Sequence, residues 1–428
     1  MASKQNFSVV IDLGTSKLTA LAGKLTEAGK MEIMALAKAP SKGFKRGVVF
    51  NIEEAAASIT DLLDILDSQL EEEIEIVDVA LAGAKMQTID YRCITHTSGE
   101  GFVTSRDVDS LMQEAQNVSI QQDYEVVKVI PVAYVIDDEN EVEKPIGSTG
   151  EKIEAHFKLL VIPDSYLNNL RLVLSRIGLG LGDIIHASLA ISEAVLTSEE
   201  KEMGVVVADF GAGTTNVAVY QDNVLKHTAV IPFGGQVVTS DIKEGCSIFL
   251  KKAELLKVKY GQAMGDFADD RKVVTIAGQN GWEARDVSFK SLAYIIQARL
   301  EEIIECVNDQ ILKAGIEDAL GAGIVIAGGT SQLKDMVSLV KFKTAMDARR
   351  ANAVIYPANR KEETRDFDFL TVLGAMKLVL SSGVVQPVGQ THSRSIKKKE
   401  RRFAPRIKNV VQGALNLFDM DDSDLEFK

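Results

Sequence analysis

The chain is poor in cysteine, and the three it has, Cys93, Cys246 and Cys306, are widely separated and form no CxxC pair. That spacing argues against a disulfide framework or a thiolate metal centre and fits small buried residues in a reducing compartment. No uninterrupted apolar run is long enough to cross a bilayer, and no secretory leader is expected ahead of Phe7. Positive charge is also short, with 48 Lys and Arg against 61 Asp and Glu and a net charge of −13. That balance argues against a duplex partner across the body, which would need a basic face to release counterions, so nucleic acid is not an expected partner. The lone tryptophan, Trp282, falls in a polar stretch. It reads either as an anchor for a partner or, more simply, as a satellite hydrophobic contact.

What the chain has instead is glycine at the ends of β-branched runs. VVVADFGAGTTNVAVYQDN at 205–223 opens as a buried strand, breaks after Asp209 into small residues and resumes with alternating apolar positions. This reads as a β-hairpin. Its turn, with Gly211, Gly213, Thr214, Thr215 and Asn216, leaves backbone N–H groups and hydroxyls uncovered, so an anion can sit on it. No GK[ST] follows, and a strand returns at Val217 and Val219 where a P-loop would enter a helix; the Walker and Rossmann readings both fail. Taken alone, the hairpin reads equally well as a tight turn with no ligand. VVIDLGTSKLTAL at 9–21 repeats the plan, with Asp12 at the strand end and a turn of Gly14, Thr15 and Ser16. Two copies imply two related halves facing each other. GIVIAGGTSQL at 323–333 adds a buried strand that ends in Gly328, Gly329 and Thr330 before a helical stretch. The three glycine turns together make a nucleotide cleft.

In chain order, 428 residues are too many for one hydrophobic core and suit two domains. A strand is expected at 30–39 and a helix at 52–70, N-capped by Asn51 with Glu53 and Glu54 in its first turn. From Val77 the pattern is strand, then a helix at 104–118, then two strands up to Ile162. His96 and His156 lie in this stretch without partners at ligand spacing and read as solvated. Helices are expected at 165–177, 183–197, 243–260 and 291–312, with a polar loop at 265–284.

Several of these stretches resemble the actin, sugar-kinase and DnaK-type superfamily and, within it, the FtsA family of bacterial cell-division proteins. They are the two hairpins, PFGGQVVTSDI at 232–242, AELLKVKYG at 253–261 and SLAYIIQARLEEIIE at 291–305. The most specific is VIPVAYVIDDENEVEKPIGSTGEKIEAHFKLLVIP at 129–163, which resembles the signature of the small subdomain that sets this family apart from actin. The resemblance implies an α/β, actin-like two-domain fold with a cleft for ATP, an inserted subdomain and a C-terminal amphipathic helix. The first half would be 1–76 and 164–200, the insertion 77–163, and the second half, with its partner-binding subdomain, 201–380. A linker at 381–402, the helix at 403–418 and an acidic tail at 419–428 would follow.

It further implies that Gly14, Thr15, Ser16, Gly211, Gly213, Thr214, Thr215 and Asn216 hold the phosphates and Lys17 neutralises them. Gly234, Gly235, Glu254, Lys257, Gly328, Gly329 and Thr330 would surround ribose and adenine. Asp12 and Asp209 would hold hydrated Mg²⁺, which prefers hard, anionic oxygen ligands. Family members usually read LEPLASAEAVL before the second hairpin, with a Glu that handles the attacking water. Here HASLAISEAVL at 186–196 puts Ala187 in that place, and neither His186 nor Glu193 is an automatic substitute. Slow turnover of ATP is therefore expected. The resemblance places contact with the FtsZ C-terminal peptide near Arg299, although Arg299 also reads as one helix-surface charge among many. Other divisome proteins and further copies of the chain are the remaining implied partners. A small-molecule kinase on the same scaffold would need a base for its acceptor hydroxyl, and none stands out. A pilus-type membrane scaffold is the other alternative.

Beyond Leu380 the composition changes to a Ser, Gly, Pro and Gln linker, then KKKERRFAPRIKNVVQGALNLF and an acidic end. At helical spacing Phe403, Ile407, Val410, Val411, Ala414, Leu417 and Phe418 share one face. Too short to span a bilayer, such a helix can lie in the interface, drawn to anionic lipid by the basic residues before it. The expected location is the inner face of the cytoplasmic membrane at the division septum, with the acidic end repelled into solvent. Docking on a protein groove is the competing reading.

Overall fold

A computed structural model describes residues 5–98, 101–120, 123–277, 283–359, 366–381 and 425–427. Trp282, the linker beyond Ser381, the helix expected at 403–418 and all of the acidic end but 425–427 lie outside the described residues.

Two five-stranded sheets form the frame, and they share one topology. In the first the order is Gly180–His186, Ile76–Leu81, Ser8–Leu13, Lys17–Leu25, Met31–Pro40. The second, taken from its opposite edge, runs Ala348–Arg350, Ile324–Ala327, Val205–Phe210, Thr215–Gln221, Val224–Ile231. Each is an antiparallel three-strand meander whose first strand is joined by two parallel strands. The central strands are apolar because helices cover both faces. Helix Ile52–Asp67 presses Ile59, Leu62 and Leu66 onto Ile11 and Leu18 in the first half. Asn51 caps it as expected, its Oδ1 accepting from the backbone N–H groups of Glu53 and Glu54 at 3.1 and 3.3 Å. In the second half, helix Phe289–Ala314 buries Leu292, Ile296, Leu300 and Ile303 over the strands Thr215–Gln221 and Val224–Ile231.

Helices Ala187–Val195 and Leu370–Ser381 cross where the halves meet. A side chain at Gly374 would put its Cβ 1.7 Å from the Ala190 carbonyl oxygen, so only glycine permits that approach. The insertion is a four-stranded antiparallel sheet ordered Gln87–His96, Lys152–Pro163, Tyr124–Ile136, Asn140–Val142, covered by helix Ser105–Gln116.

The structure corrects several expectations. The strand Ile76–Leu81, all but its first residue counted with the insertion, pairs in parallel with Ser8–Leu13 and belongs to the first sheet. Residues 183–186, expected to open a helix, finish the strand Gly180–His186, because a short apolar run in a parallel sheet has no periodicity to separate it from a helix. The helix expected at 243–260 is two, Gly235–Cys246 and Leu250–Tyr260, broken at Ser247 with φ +53°. The polar loop contains the strand Val273–Ile276, and the terminus is not free in solvent: Leu425–Phe427 pairs with that strand. His156 is partly exposed, and it has a carboxylate partner that its spacing did not suggest, its Nε2 lying 2.8 Å from Glu154 Oε1. Among the described residues no group of three or more His, Cys, Asp or Glu has metal-holding geometry, and no helix is long and apolar enough to cross a membrane.

Candidate functional site

The two hairpins carry turns of equal length. Leu13 pairs with Leu18 across Gly14, Thr15, Ser16 and Lys17; Phe210 pairs with Thr215 across Gly211, Ala212, Gly213 and Thr214. One residue further back, Asp12 registers with Thr19 and Asp209 with Asn216. The turns touch: a Cβ on Gly213 would lie 2.4 Å from Thr15 Oγ1. Strand ends, turns and carboxylates thus converge from both halves.

The carboxylates are set against each other. The Asp12 carboxyl is raised to about 7, first by loss of solvent and then by the charge of Asp209, with Lys17 opposing. Asp209 is also raised by burial, although Asn216 Nδ2 donates to its Oδ2 at 3.0 Å and Lys17 lies near. Two buried polar oxygens, Thr19 Oγ1 and Asn216 Oδ1, have no protein partner, and they belong to the two residues opposite the carboxylates in the register. Paired acids that resist ionising together, flanked by orphan acceptors, fit a hydrated divalent cation whose charge stabilises both carboxylates and whose water donates to the orphans.

Lys17 has a partner that the sequence did not reveal. Its Nζ bonds Asp368 Oδ1 and lies 4.8 Å from the centre of the Phe367 ring, while Lys38 Nζ reaches Asp368 Oδ2 at 3.2 Å. Burial lowers the Lys17 ammonium to about 8, against the pull of Asp12 and Asp366.

The third glycine turn closes on the second hairpin. Gly328 has φ +82°, and a Cβ there would meet Asp209 Oδ1 at 2.4 Å, so glycine is required twice over. Gly329 faces open space, where a side chain would enter the cleft. Thr330 Oγ1 donates to the Gly211 carbonyl at 3.1 Å, and the Gly235 and Gln236 N–H groups donate to Gly211 and Ala212 at 2.9 and 2.8 Å. Gly234 packs on the same carbonyls. Lys257 Nζ donates to Gly235 O, Thr239 Oγ1 and Glu254 Oε2 at 3.0, 2.8 and 2.7 Å. All three ammonium protons are spent within the protein, so Lys257 positions Glu254 and the glycine pair. Thr215 is likewise buried, its hydroxyl bonded to Phe233 O at 2.9 Å, which leaves Thr214 and backbone N–H groups for an anion.

The structure offers no replacement base at Ala187. His186 is the N-cap of helix Ala187–Val195, its Nδ1 accepting from Ser188 N at 3.2 Å, and burial pushes its pKa to about 4. Glu193 is held by Lys201 and Lys377. Arg299 lies on the long helix of the second half, bonded to Asp241 and Glu302.

Comparison with known proteins bears on this frame. The family profile "SHS2 domain inserted in FTSA" matches residues 83–161, and "Cell division protein FtsA" matches 206–374. Cell division protein FtsA of Neisseria meningitidis serogroup B is 32% identical over 342 residues, covering 80% of this chain and 82% of that protein. Among solved structures, the PilM-PilN type IV pilus biogenesis complex matches with a TM-score of 0.59 at 16% identity, covering 87% of this chain and 98% of that one. MreB5 of Spiroplasma citri bound to ADP matches at 0.53 and 13%, over 88% and 97%. At such identities the structural likeness is one of fold, the actin-like α/β fold with an inserted subdomain. The sequence likeness goes further: across four-fifths of its length and with the inserted domain in place, this chain belongs to the FtsA family of cell-division proteins.

Proposed function

We propose that this chain binds ATP with Mg²⁺ between its hairpins, turns it over slowly, and tethers FtsZ filaments to the inner face of the cytoplasmic membrane at the division septum. The observation that carries the nucleotide reading is the facing pair Asp12 and Asp209 with the orphan oxygens of Thr19 and Asn216. Asp12 and Asp209 would hold the hydrated ion; Gly14, Thr15, Ser16, Gly213 and Thr214 the phosphates; Gly328, Gly329, Gly234, Gly235 and Glu254 the nucleoside side. The bound ion would supply charge neutralisation for the phosphates. A fold neighbour, MreB5, is bound to ADP. Slow turnover follows from Ala187, and Ala187→Glu should raise steady-state hydrolysis without tightening binding; a fast wild-type rate would overturn this.

Family membership supports an actin-like role in cell division, and the finer roles are read from the sequence. The half at 201–380 would carry the FtsZ peptide contact near Arg299 and the helix at 403–418 the lipid contact, with filaments of the chain multiplying weak anchors. Sedimentation with anionic liposomes, with and without ATP and FtsZ, tests this. The full chain should carry FtsZ into the pellet, and truncation after Ser395 should leave both in the supernatant. Pelleting by the truncated chain would overturn the membrane reading; pelleting of the full chain without FtsZ would overturn the partner. The inserted domain matched at 83–161 favours division over a pilus scaffold.

A further inference from the structure

The hairpin of Val273–Ile276 and Arg285–Ser288 stands at the margin of the second half. Its inner face is anchored: Val274, Ile276 and Val287 belong to the core beneath helix Phe289–Ala314. Arg285–Ser288 pairs with one edge of Val273–Ile276 and runs directly into that helix, with Ser288 as the N-cap. The other edge of Val273–Ile276 is taken by the end of the chain. Leu425–Phe427 lies antiparallel on it, with Ile276 opposite Leu425, Thr275 opposite Glu426 and Val274 opposite Phe427.

We propose that this edge is a strand-addition site for an extended peptide of apolar–acidic–apolar pattern, and that the chain's own C-terminal residues occupy it in cis as a removable ligand. The acceptor has the chemistry for it. Val273, Val274, Thr275 and Ile276 are all β-branched, and none of the devices that blunt an exposed edge, an inward charge, a proline or a bulge, interrupts them. The pattern of the tail matches the pattern of the acceptor: Leu, Glu and Phe register with positions that are buried, half-buried and buried. The ladder is short. Ordering a chain end offsets most of what three residues of hydrogen bonding contribute, so occupancy depends on tethering by the segment between Ser381 and Leu425.

Amide hydrogen exchange of residues 273–276 tests the site. In an antiparallel strand successive N–H groups face opposite neighbours. In a chain ending at Asp424, two of these four amides, at alternate positions, should lose protection, while the two that face Arg285–Ser288 keep theirs. The full-length double variant Leu425→Pro/Glu426→Pro should behave as the truncation does, with length nearly all charge intact. A synthetic peptide of residues 419–428 should restore the same two amides in the truncated chain, and N-methylation of the peptide should abolish this at alternate positions only. Unchanged protection in the truncated chain would overturn the site. Loss at all four amides would make the tail an integral strand and overturn its removability. Protection of the full chain that rises with protein concentration would place the strand between copies and overturn occupancy in cis.

Discussion

The two hairpins are one device built twice, and what differs between them is how each is held. Both put a carboxylate before a four-residue turn and a polar residue opposite it, Asp12 with Thr19 and Asp209 with Asn216. The second is braced by backbone: its turn carbonyls accept from Gly235, Gln236 and Thr330, and Gly328 closes on Asp209. Asn216 also donates to Asp209. The first takes a backbone donor too, the Ser41 N–H on its Ser16 carbonyl at 3.1 Å, and adds a hold by charge. At the turn position where the second has Thr214, it has Lys17, bonded to Asp368. Backbone bracing is indifferent to ligand, whereas a side-chain ion pair can exchange its anion for another. The second hairpin is the fixed jaw of the cleft, and the first is the one whose partner can change.

The largest effect should come from what the hairpins share. Asp12→Ala and Asp209→Ala should each weaken Mg²⁺–ATP binding about a hundredfold, the scale of a lost contact between charged groups, as read by titration calorimetry. Equal losses would confirm that the carboxylates act as a pair; an unchanged affinity in either variant would break the symmetry. The next effect is on pH. A metal ligand must be ionised, so with Asp12 near 7 affinity should fall about tenfold per pH unit below that value and level off above it. Asp12→Asn should flatten the profile. In the cation-free protein the sign is opposite: a raised carboxyl contributes stability that is fully present below its unfolded value of 3.8 and lost as pH rises through about 7. Thermal unfolding of wild type against Asp12→Asn should show the gap opening over that window. A smaller effect separates the jaws. Lys17→Ala should cost roughly tenfold in affinity, with weaker salt dependence than wild type, and Thr214→Ala only a few-fold. Equal losses would remove the distinction between charge and backbone.

The shared parts of this comparison were legible in the sequence and the different parts were not. A β-branched run stopped by Asp and then by glycine allows few conformations, so both turns and the third at Gly328 could be placed from residues alone. The bracing could not be read. Asp368 lies 351 residues from Lys17, and no local pattern marks Asp366, Phe367 and Asp368 as neighbours of the first turn. Thr215 looked like a phosphate ligand because hydroxyls near a glycine turn usually face out; here it points to Phe233. The break at Ser247 was hidden because apolar residues continue on both sides of it, and Val273–Ile276 because charged neighbours made the whole stretch look like loop.

The smallest predicted effect bears most directly on the exchange of partners at Lys17. Asp368 is largely buried and also faces Lys38, so its charge is held near the phosphate site whether or not a ligand is present. An incoming polyanion must share Lys17 with it and is repelled by it, and both effects act in one direction. Asp368→Asn should therefore tighten nucleotide binding by roughly two- to fivefold, the range of a partly exposed ion pair. Tightening alone does not separate competition for Lys17 from repulsion of the phosphates. A double-mutant cycle does: in the Lys17→Ala background, competition has nothing to compete for, and only repulsion, reduced by salt, should remain. If Asp368→Asn instead weakens binding, and Lys17→Ala erases that loss, then Asp368 holds Lys17 in place for the ligand, and the first hairpin is as fixed as the second.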